Sequence, residues 1–353
     1  MKKCRRRLAL VREPQKPPRS HLVIGAVRDG KLGNVRNNRI DMKTCETRLV
    51  LVTGGAGFIG SHLVDALLDR GFRVRVLDSF VSGLREFVNP AAEVIEGDIR
   101  SLESIRGVFT EVDCVFHTAA LPRIMLSIDR PVETHLTNVV GTLNSLIAAR
   151  DAGVRRFVFS GSSSVYGKQS TLPLKESMIP NPLNPYALQK LCGEEYTRLF
   201  HRLFGMQTLT LRYFNVYGLR MATAGAYVTV ISAFHREKCA GRPLPICGDG
   251  LQTRDFTHVS DVASANIAAM DCQIADGRAL NVGSGKAISV NAIADIFGGP
   301  VVFQPQRLGE ARDTRADITQ ARAILGWEPR FVPAEGICEL MQLVKCPGLD
   351  SVH

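Results

Sequence analysis

The apolar run Arg48-Leu-Val-Leu-Val-Thr53 has no polar alternation, which predicts a parallel strand buried on both faces. It feeds the glycine-rich Gly54-Gly55-Ala56-Gly57-Phe58-Ile59-Gly60. Apolar positions then recur with helical spacing through Leu63, Val64, Leu67 and Leu68 as far as Gly71. The alternation repeats: strands over Arg73–Leu77, Val94–Ile99, Cys114–Ala120, Phe157–Ser160 and Thr208–Phe214, helices over Glu133–Ala152 and Tyr186–Phe204. Repeated strand and helix predict an α/β fold, a doubly wound parallel sheet with right-handed crossovers. Ala226–Cys239 reads as a further helix, Phe256–Cys272 as a strand and helix, and Ala279–Val282 as one more strand. The helix Asn291–Phe297 stops early, before Gly298-Gly299-Pro300.

A chain of 353 residues has room for two domains, or for one large unit with a lobe. Its apolar runs are too short to span a bilayer, so no membrane partner is expected. The net charge of +10 invites a nucleic-acid reading until it is located. Residues 1–47 carry 13 Lys/Arg against 4 Asp/Glu, leaving the remaining chain close to neutral. The basic character belongs to a tail without periodicity, expected to be disordered, and nucleic acid is not expected as a partner. The tail's Arg-rich, acid-poor start weakly resembles an organelle transit peptide. The alternative is translation from Met42, just before the first strand. The nine cysteines form no C-x-x-C pair and show no disulfide-like spacing. Mostly buried free thiols, a cytoplasmic setting and no metal site are the expectations.

The glycine turn carries the first chemistry. Gly54, Gly57 and Gly60 sit between a strand and a helix, where a tight turn, approach to a pyrophosphate and close helix packing each exclude a side chain. The helix N-terminus then offers free N–H groups to phosphate. Asp78 ends the second strand, 18 residues after Gly60. A carboxylate there accepts hydrogen bonds from a ribose diol and repels a 2′-phosphate, so NAD is expected rather than NADP. Asp98 is placed to meet the adenine amino group.

Tyr186-Ala-Leu-Gln-Lys190 puts a phenol and an ammonium on one helical face. Ser160-Gly-Ser162-Ser163-Ser164 ends a strand, where open α/β sheets bind ligands. A free tyrosine has a pKa near ~10, and lowering it to about 7 takes about 4 kcal/mol. Lys190 and an oxidised nicotinamide can together supply this, which would make Tyr186 a general base for a sugar or alcohol hydroxyl.

With these motifs the region 48–346 resembles the extended short-chain dehydrogenases/reductases of the NAD-dependent epimerase/dehydratase family, and is most similar to the UDP-hexose 4-epimerases. The resemblance rests on Thr53–Gly60, Asp78, Gly97-Asp98-Ile99, His117-Thr-Ala-Ala120, Ser162, Tyr186 with Lys190, and Arg212-Tyr-Phe-Asn215-Val-Tyr-Gly218. Further on it rests on Gly248 to Phe256, Asn281-Val-Gly-Ser-Gly285 and Arg307-Leu-Gly-Glu310. It implies a Rossmann-like NAD domain over 48–215, with 256–284 returning to it. The sugar-nucleotide lobe would be 216–255 and 285–346, with a tail at 347–353. It also implies cofactor contacts from Gly54, Gly57, Phe58, Ile59, Gly60, Asp78, Asp98, Ile99, Ala119, Tyr186 and Lys190. Ser162 would hold the sugar O4 hydroxyl and Tyr186 would take its proton. Ser163 and Asn215 would contact the substrate, Arg254 and Arg307 would neutralise its diphosphate, and Asn138 would support the cofactor loop. A homodimer through the helices at 133–152 and 186–204 is implied in the same way.

Ser163 and Ser164 are neutral where the related dehydratases carry an acidic pair and the UDP-glucuronate decarboxylases a Glu. Elimination needs an extra acid and base, so epimerisation is the expected reaction. Thr314 is expected where a bulky ring would exclude a 2-acetamido group, so UDP-N-acetylglucosamine is expected alongside UDP-glucose. The alternatives are a UDP-glucuronate 4-epimerase, another NAD-linked sugar-nucleotide epimerase or dehydratase, and, from a different class, a non-catalytic dinucleotide- or RNA-binding module.

Overall fold

The structure is a computed structural model that describes residues 48–222, 228–306 and 309–344. The tails at 1–47 and 347–353 and the start of the helix expected from Ala226 lie outside the described residues.

Seven parallel strands form the central sheet: β1 (Leu49–Thr53), β2 (Arg73–Asp78), β3 (Glu93–Glu96), β4 (Val112–His117), β5 (Arg156–Ser162), β6 (Gln207–Tyr213) and β7 (Asp276–Val282). Their order is β7-β6-β5-β4-β1-β2-β3, so the winding reverses between β4 and β1. The resulting crevice at the strands' C-terminal ends is where such sheets take ligands.

Alternation along the strands explains why helices cover both faces. Val50 and Val52 of β1 pack with Leu63, Val64 and Leu67 of helix α1 (Phe58–Leu68). Leu49 and Leu51 point the other way, toward Leu146 and Ala149 and toward Phe157 and Phe159 of β5. Every residue of β1 is buried. A further apolar cluster is built from later segments, with Tyr217, Phe234, Ile246, Phe297, Ile337 and Leu340 among its members. Within it the helix Val290–Phe297 spans eight residues and leads into a strand at Val301–Gln304, parallel to Leu244–Cys247.

Three expectations are corrected. The single helix expected over Glu133–Ala152 is a short α-helix at Pro131–His135, a π-helical segment at Leu136–Val140 and helix α3 (Gly141–Asp151). Helix α2 (Ile124–Asp129) precedes them. Within the wide turn Asn138 faces inward. It accepts from the Leu121 amide at 2.8 Å and donates to the Leu121 carbonyl at 3.2 Å and the Gln189 side chain at 2.8 Å. β3 and β4 end earlier than the apolar runs suggest, because the chain leaves the sheet to form the crevice wall at Gly97–Ile99 and Thr118–Ala120. Among the described residues the cysteines are not mostly buried thiols. Cys114 is buried, but Cys192, Cys247 and Cys272 are partly exposed, Cys338 is exposed, and Cys239 is disulfide-bonded. Cys338 sits on the outer side of an amphipathic helix whose Ile337 and Leu340 face the core.

No helix among the described residues is long and apolar enough to cross a membrane. Among them no cluster of His, Cys, Asp and Glu could hold a metal ion.

Candidate active site

A cavity of about 1230 Å³ opens at the sheet's C-terminal edge. Its wall brings together Gly54, Gly57, Phe58, Ile59, Gly60, Asp78, Asp98, Ile99, Ala119, Ser162, Ser163, Tyr186, Lys190, Asn215, Arg254 and Thr314. Of the residues expected at a site, Arg307 lies outside the described residues.

At one end the turn after β1 is as tight as its glycines suggest. Gly54 has φ +72°, and a Cβ on it would lie 2.7 Å from the Ala119 backbone. A Cβ on Gly60 would lie 2.1 Å from the Gly54 carbonyl oxygen. Helix α1 starts at Phe58 with no side-chain cap, so its first N–H groups are left for an acceptor such as a pyrophosphate. Asp78 is buried, and each of its oxygens takes a backbone amide: Ala56 N–H at 2.9 Å and Phe80 N–H at 2.8 Å. Asp98 accepts from the Arg100 amide and guanidinium, which hold its carboxyl below the usual range. A turn without side chains, uncapped amides and a carboxylate at the end of β2 fit a dinucleotide such as NAD.

Tyr186 is the second residue of helix α4 (Pro185–Phe204). The helix starts there because Pro185 fits its first turn and the Asn184 side chain accepts the Ala187 amide at 2.8 Å. The Tyr186 amide donates to Ser127 Oγ at 3.0 Å, tying the phenol's backbone to helix α2 (Ile124–Asp129). The phenol faces the hydroxyl of Ser162, the last residue of β5, which favours its ionised form. One turn on, Lys190 is buried over the Phe159 ring and donates to the Ser160 carbonyl at 2.9 Å.

Burial is the dominant influence on both groups. It raises the Tyr186 pKa, against the opposing pull of Ser162 and of the Arg123 charge. It lowers Lys190 to about 8. Beneath them His117 lies between the Thr53 and Thr142 hydroxyls and is pushed down to about 3 by burial, so it is neutral.

At the other end Arg254 donates to the Arg312 carbonyl at 2.7 Å and pairs with Glu310 at 3.1 Å. Asn215 reaches the Asp255 carbonyl, and Thr314 is buried beside it. Asp255 gathers this end. Its carboxylate accepts from the amides of Ser284, Gly285 and Ala316, at 2.7 to 2.9 Å.

The sequence pattern gives Ser164 only as a neutral residue beside Ser163 and Asp255 only as part of the Gly248 to Phe256 run, and it assigns Arg123 no role. Ser164 donates its hydroxyl to Ser162 Oγ at 2.8 Å and its amide to the same atom at 3.2 Å. Its signal was the unbroken run of three serines at a strand end. Arg123 was visible as a lone charge in the apolar stretch Leu121–Leu126.

The model of the NAD dependent epimerase/dehydratase family matches residues 50–283. The putative UDP-glucose 4-epimerase of Methanocaldococcus jannaschii is 39% identical over 305 residues, covering 84% of this chain and 98% of the relative. Among solved structures, the Thermotoga maritima UDP-glucose 4-epimerase with UDP-glucose has a TM-score of 0.79 at 35% identity, covering 83% of this chain and 97% of that one. The UDP-N-acetylglucosamine 4-epimerase of Methanobrevibacter ruminantium, in complex with UDP-N-acetylmuramic acid, has a TM-score of 0.79 at 33% identity, covering 84% and 98%.

Proposed function

The chain belongs to the NAD-dependent epimerase/dehydratase family, and on that premise we propose that it is a 4-epimerase of UDP-hexoses, UDP-glucose and/or UDP-N-acetylglucosamine. The observation that carries this reading is the meeting of Tyr186 and Ser162, with Lys190 one helical turn away, on the wall of one cavity of about 1230 Å³ that the glycine turn and Asp78 also line.

NAD would be held by Gly54 to Gly60, Asp78, Asp98 and Lys190, and supplies when bound an acceptor that takes up and returns the C4 hydrogen. Tyr186 removes the O4 proton and later restores it. Ser162 orients the O4 hydroxyl between itself and the phenol. Arg254, together with Arg307, anchors the diphosphate, which lets a flat 4-keto sugar turn over between the two half-reactions. Ser163 and Ser164 provide no carboxylate for elimination, which favours epimerisation over dehydration. Thr314 leaves room for a 2-acetamido group. In this reading 48–215 and 256–284 serve the cofactor, and 216–255 and 285–346 the sugar nucleotide.

A homodimer through the α4 side of the molecule completes the proposal. Val132, Leu188 and Leu203 are exposed there at 71%, 53% and 69%, more than isolated apolar side chains require.

The test supplies purified protein with UDP-glucose and UDP-N-acetylglucosamine and resolves the C4 epimers. Equilibration of either pair supports the reading. A stable 4-keto-6-deoxy product, or no conversion by NAD-loaded protein, overturns it.

A further inference from the structure

Among the described residues five cationic side chains line the cavity, and four are already engaged: Arg100 by Asp98, Arg220 by Asp65, Arg254 by Glu310 and Lys190 by the Ser160 carbonyl. The fifth, Arg123, makes no side-chain hydrogen bond or ion pair among the described residues, although it is half-buried. A desolvated guanidinium without an acceptor is costly to keep.

Its position is fixed from both sides. Two residues earlier the Leu121 backbone is clamped by Asn138. On the other side the Arg123 carbonyl accepts the Ser127 amide at 3.0 Å, while Ser127 Oγ accepts the Tyr186 amide at 3.0 Å. The Arg123 charge is felt by the Tyr186 phenol, yet no hydrogen bond joins them. The free cation therefore lies beside the reacting end of the cavity, while Arg254 serves a different end, next to Glu310 and Thr314.

An anion that meets Arg123 there belongs to the sugar. In a hexose the C6 group hangs from the carbon next to C4, so a base aimed at O4 and a cation aimed at C6 must be near neighbours. A hydroxymethyl group offers that cation no charge, whereas a C6 carboxylate offers two acceptors in the fork geometry of a guanidinium. The cation also offsets the repulsion between a substrate carboxylate and a Tyr186 phenolate.

We infer that Arg123 makes the hexose subsite selective for a sugar carrying a carboxylate beside the reacting carbinol, a UDP-hexuronate, with neutral UDP-hexoses as weaker substrates of the same chemistry. The inference rests on the UDP-sugar epimerase reading above.

The test measures kcat/KM for UDP-glucuronate and UDP-glucose with full-length, NAD-loaded wild type, Arg123→Lys and Arg123→Met. Dissociation constants for both sugars are measured by calorimetry in the Tyr186→Phe background, with and without Arg123→Met. The wild type is expected to favour UDP-glucuronate. Arg123→Met should lower the ratio of the two specificity constants about 10- to 100-fold, with a parallel fall in the binding ratio and partial rescue by Lys. A wild type that prefers UDP-glucose overturns the inference. So does a Met variant that weakens both sugars equally while shifting the kcat pH profile, since Arg123 would then serve the phenol alone. Failure of the wild type to interconvert any C4 pair overturns the epimerase reading, and the calorimetric ratio still decides the role of Arg123.

Discussion

Lys190 spends its hydrogen bond on the backbone carbonyl of Ser160, 2.9 Å away, while Tyr186, one turn before it, faces the side chain of Ser162. The two partners share a helix face but reach different atoms of the same strand end. The lysine stem runs inward past Phe159, and burial without a counter-charge brings its pKa from 10.5 to about 8.

That depression has a consequence for stability. Between about pH 8 and 10.5 the unfolded chain holds the Lys190 proton and the folded cofactor-free chain does not, so stability rises with pH across this window. Below pH 8 both states are protonated and the burial cost, about 3 kcal/mol, is fully present. Urea unfolding of cofactor-free wild type and Lys190→Met at pH 8 and pH 10 should show wild type gaining on the variant by about 2 kcal/mol. An unchanged difference would mean that water reaches the ammonium.

The phenol makes the opposite demand. Burial keeps Tyr186 protonated in the cofactor-free protein, so the ionised base needs a positive charge brought to it. A unit charge about 5 Å away at an effective dielectric near 20 corresponds to about 3 kcal/mol, or about 2 pKa units. The tyrosinate absorbance of wild type minus Tyr186→Phe should therefore titrate at lower pH with oxidised than with reduced cofactor bound. Coincident titrations would assign the activation to protein groups alone.

Ser164 governs the direction of the Ser162 proton. Ser162 Oγ receives both the hydroxyl and the amide of Ser164, which fill its two lone pairs and leave its own hydrogen to donate. Ser164→Ala frees that rotor and should lower kcat about five- to tenfold, with KM and NAD content little changed. Ser164→Thr should restore it. A KM effect without a kcat effect would place Ser164 in substrate binding instead.

The succession of strands and helices and the glycine turn were legible because both follow from local pattern. An uninterrupted apolar run such as Leu49–Val52 has one stable home, between two helical layers. The π-helical break was not legible. It depends on Asn138 meeting Leu121 and Gln189, contacts 17 and 51 residues apart, which no 3.6-residue period encodes. The roles of Arg123 and Asp255 were not legible for the same reason. A single charged residue, whether before a helix as Arg123 or at the end of a short strand as Asp255, carries no periodic signal, and its meaning lies in which backbone amides and side chains the fold delivers to it. The alternation also misjudged the ends of β3 and β4, since an apolar residue that lines a crevice looks the same in sequence as one buried in a sheet.

The three glycines of the turn should respond unequally to a methyl group. At Gly60 the added carbon would sit 2.1 Å from the Gly54 carbonyl oxygen and 2.8 Å from Thr118 Oγ1. Relief requires moving helix α1 off the strand, because a carbonyl in a hydrogen-bonded turn cannot rotate away. At Gly57 the nearest atom is the same oxygen, but at 3.2 Å, a contact that a few tenths of an ångström would ease. Gly54 combines a 2.7 Å backbone clash with φ +72°, so substitution there is strained twice over. Gly60→Ala and Gly54→Ala should therefore lower stability by about 2 kcal/mol or more and yield protein purified without NAD. Gly57→Ala should keep the wild-type urea midpoint to within about 1 kcal/mol while losing cofactor affinity, because its methyl intrudes on the pyrophosphate path rather than on the fold. Equal losses of stability at Gly57 and Gly60 would show that the turn's glycines answer to backbone flexibility and not to space.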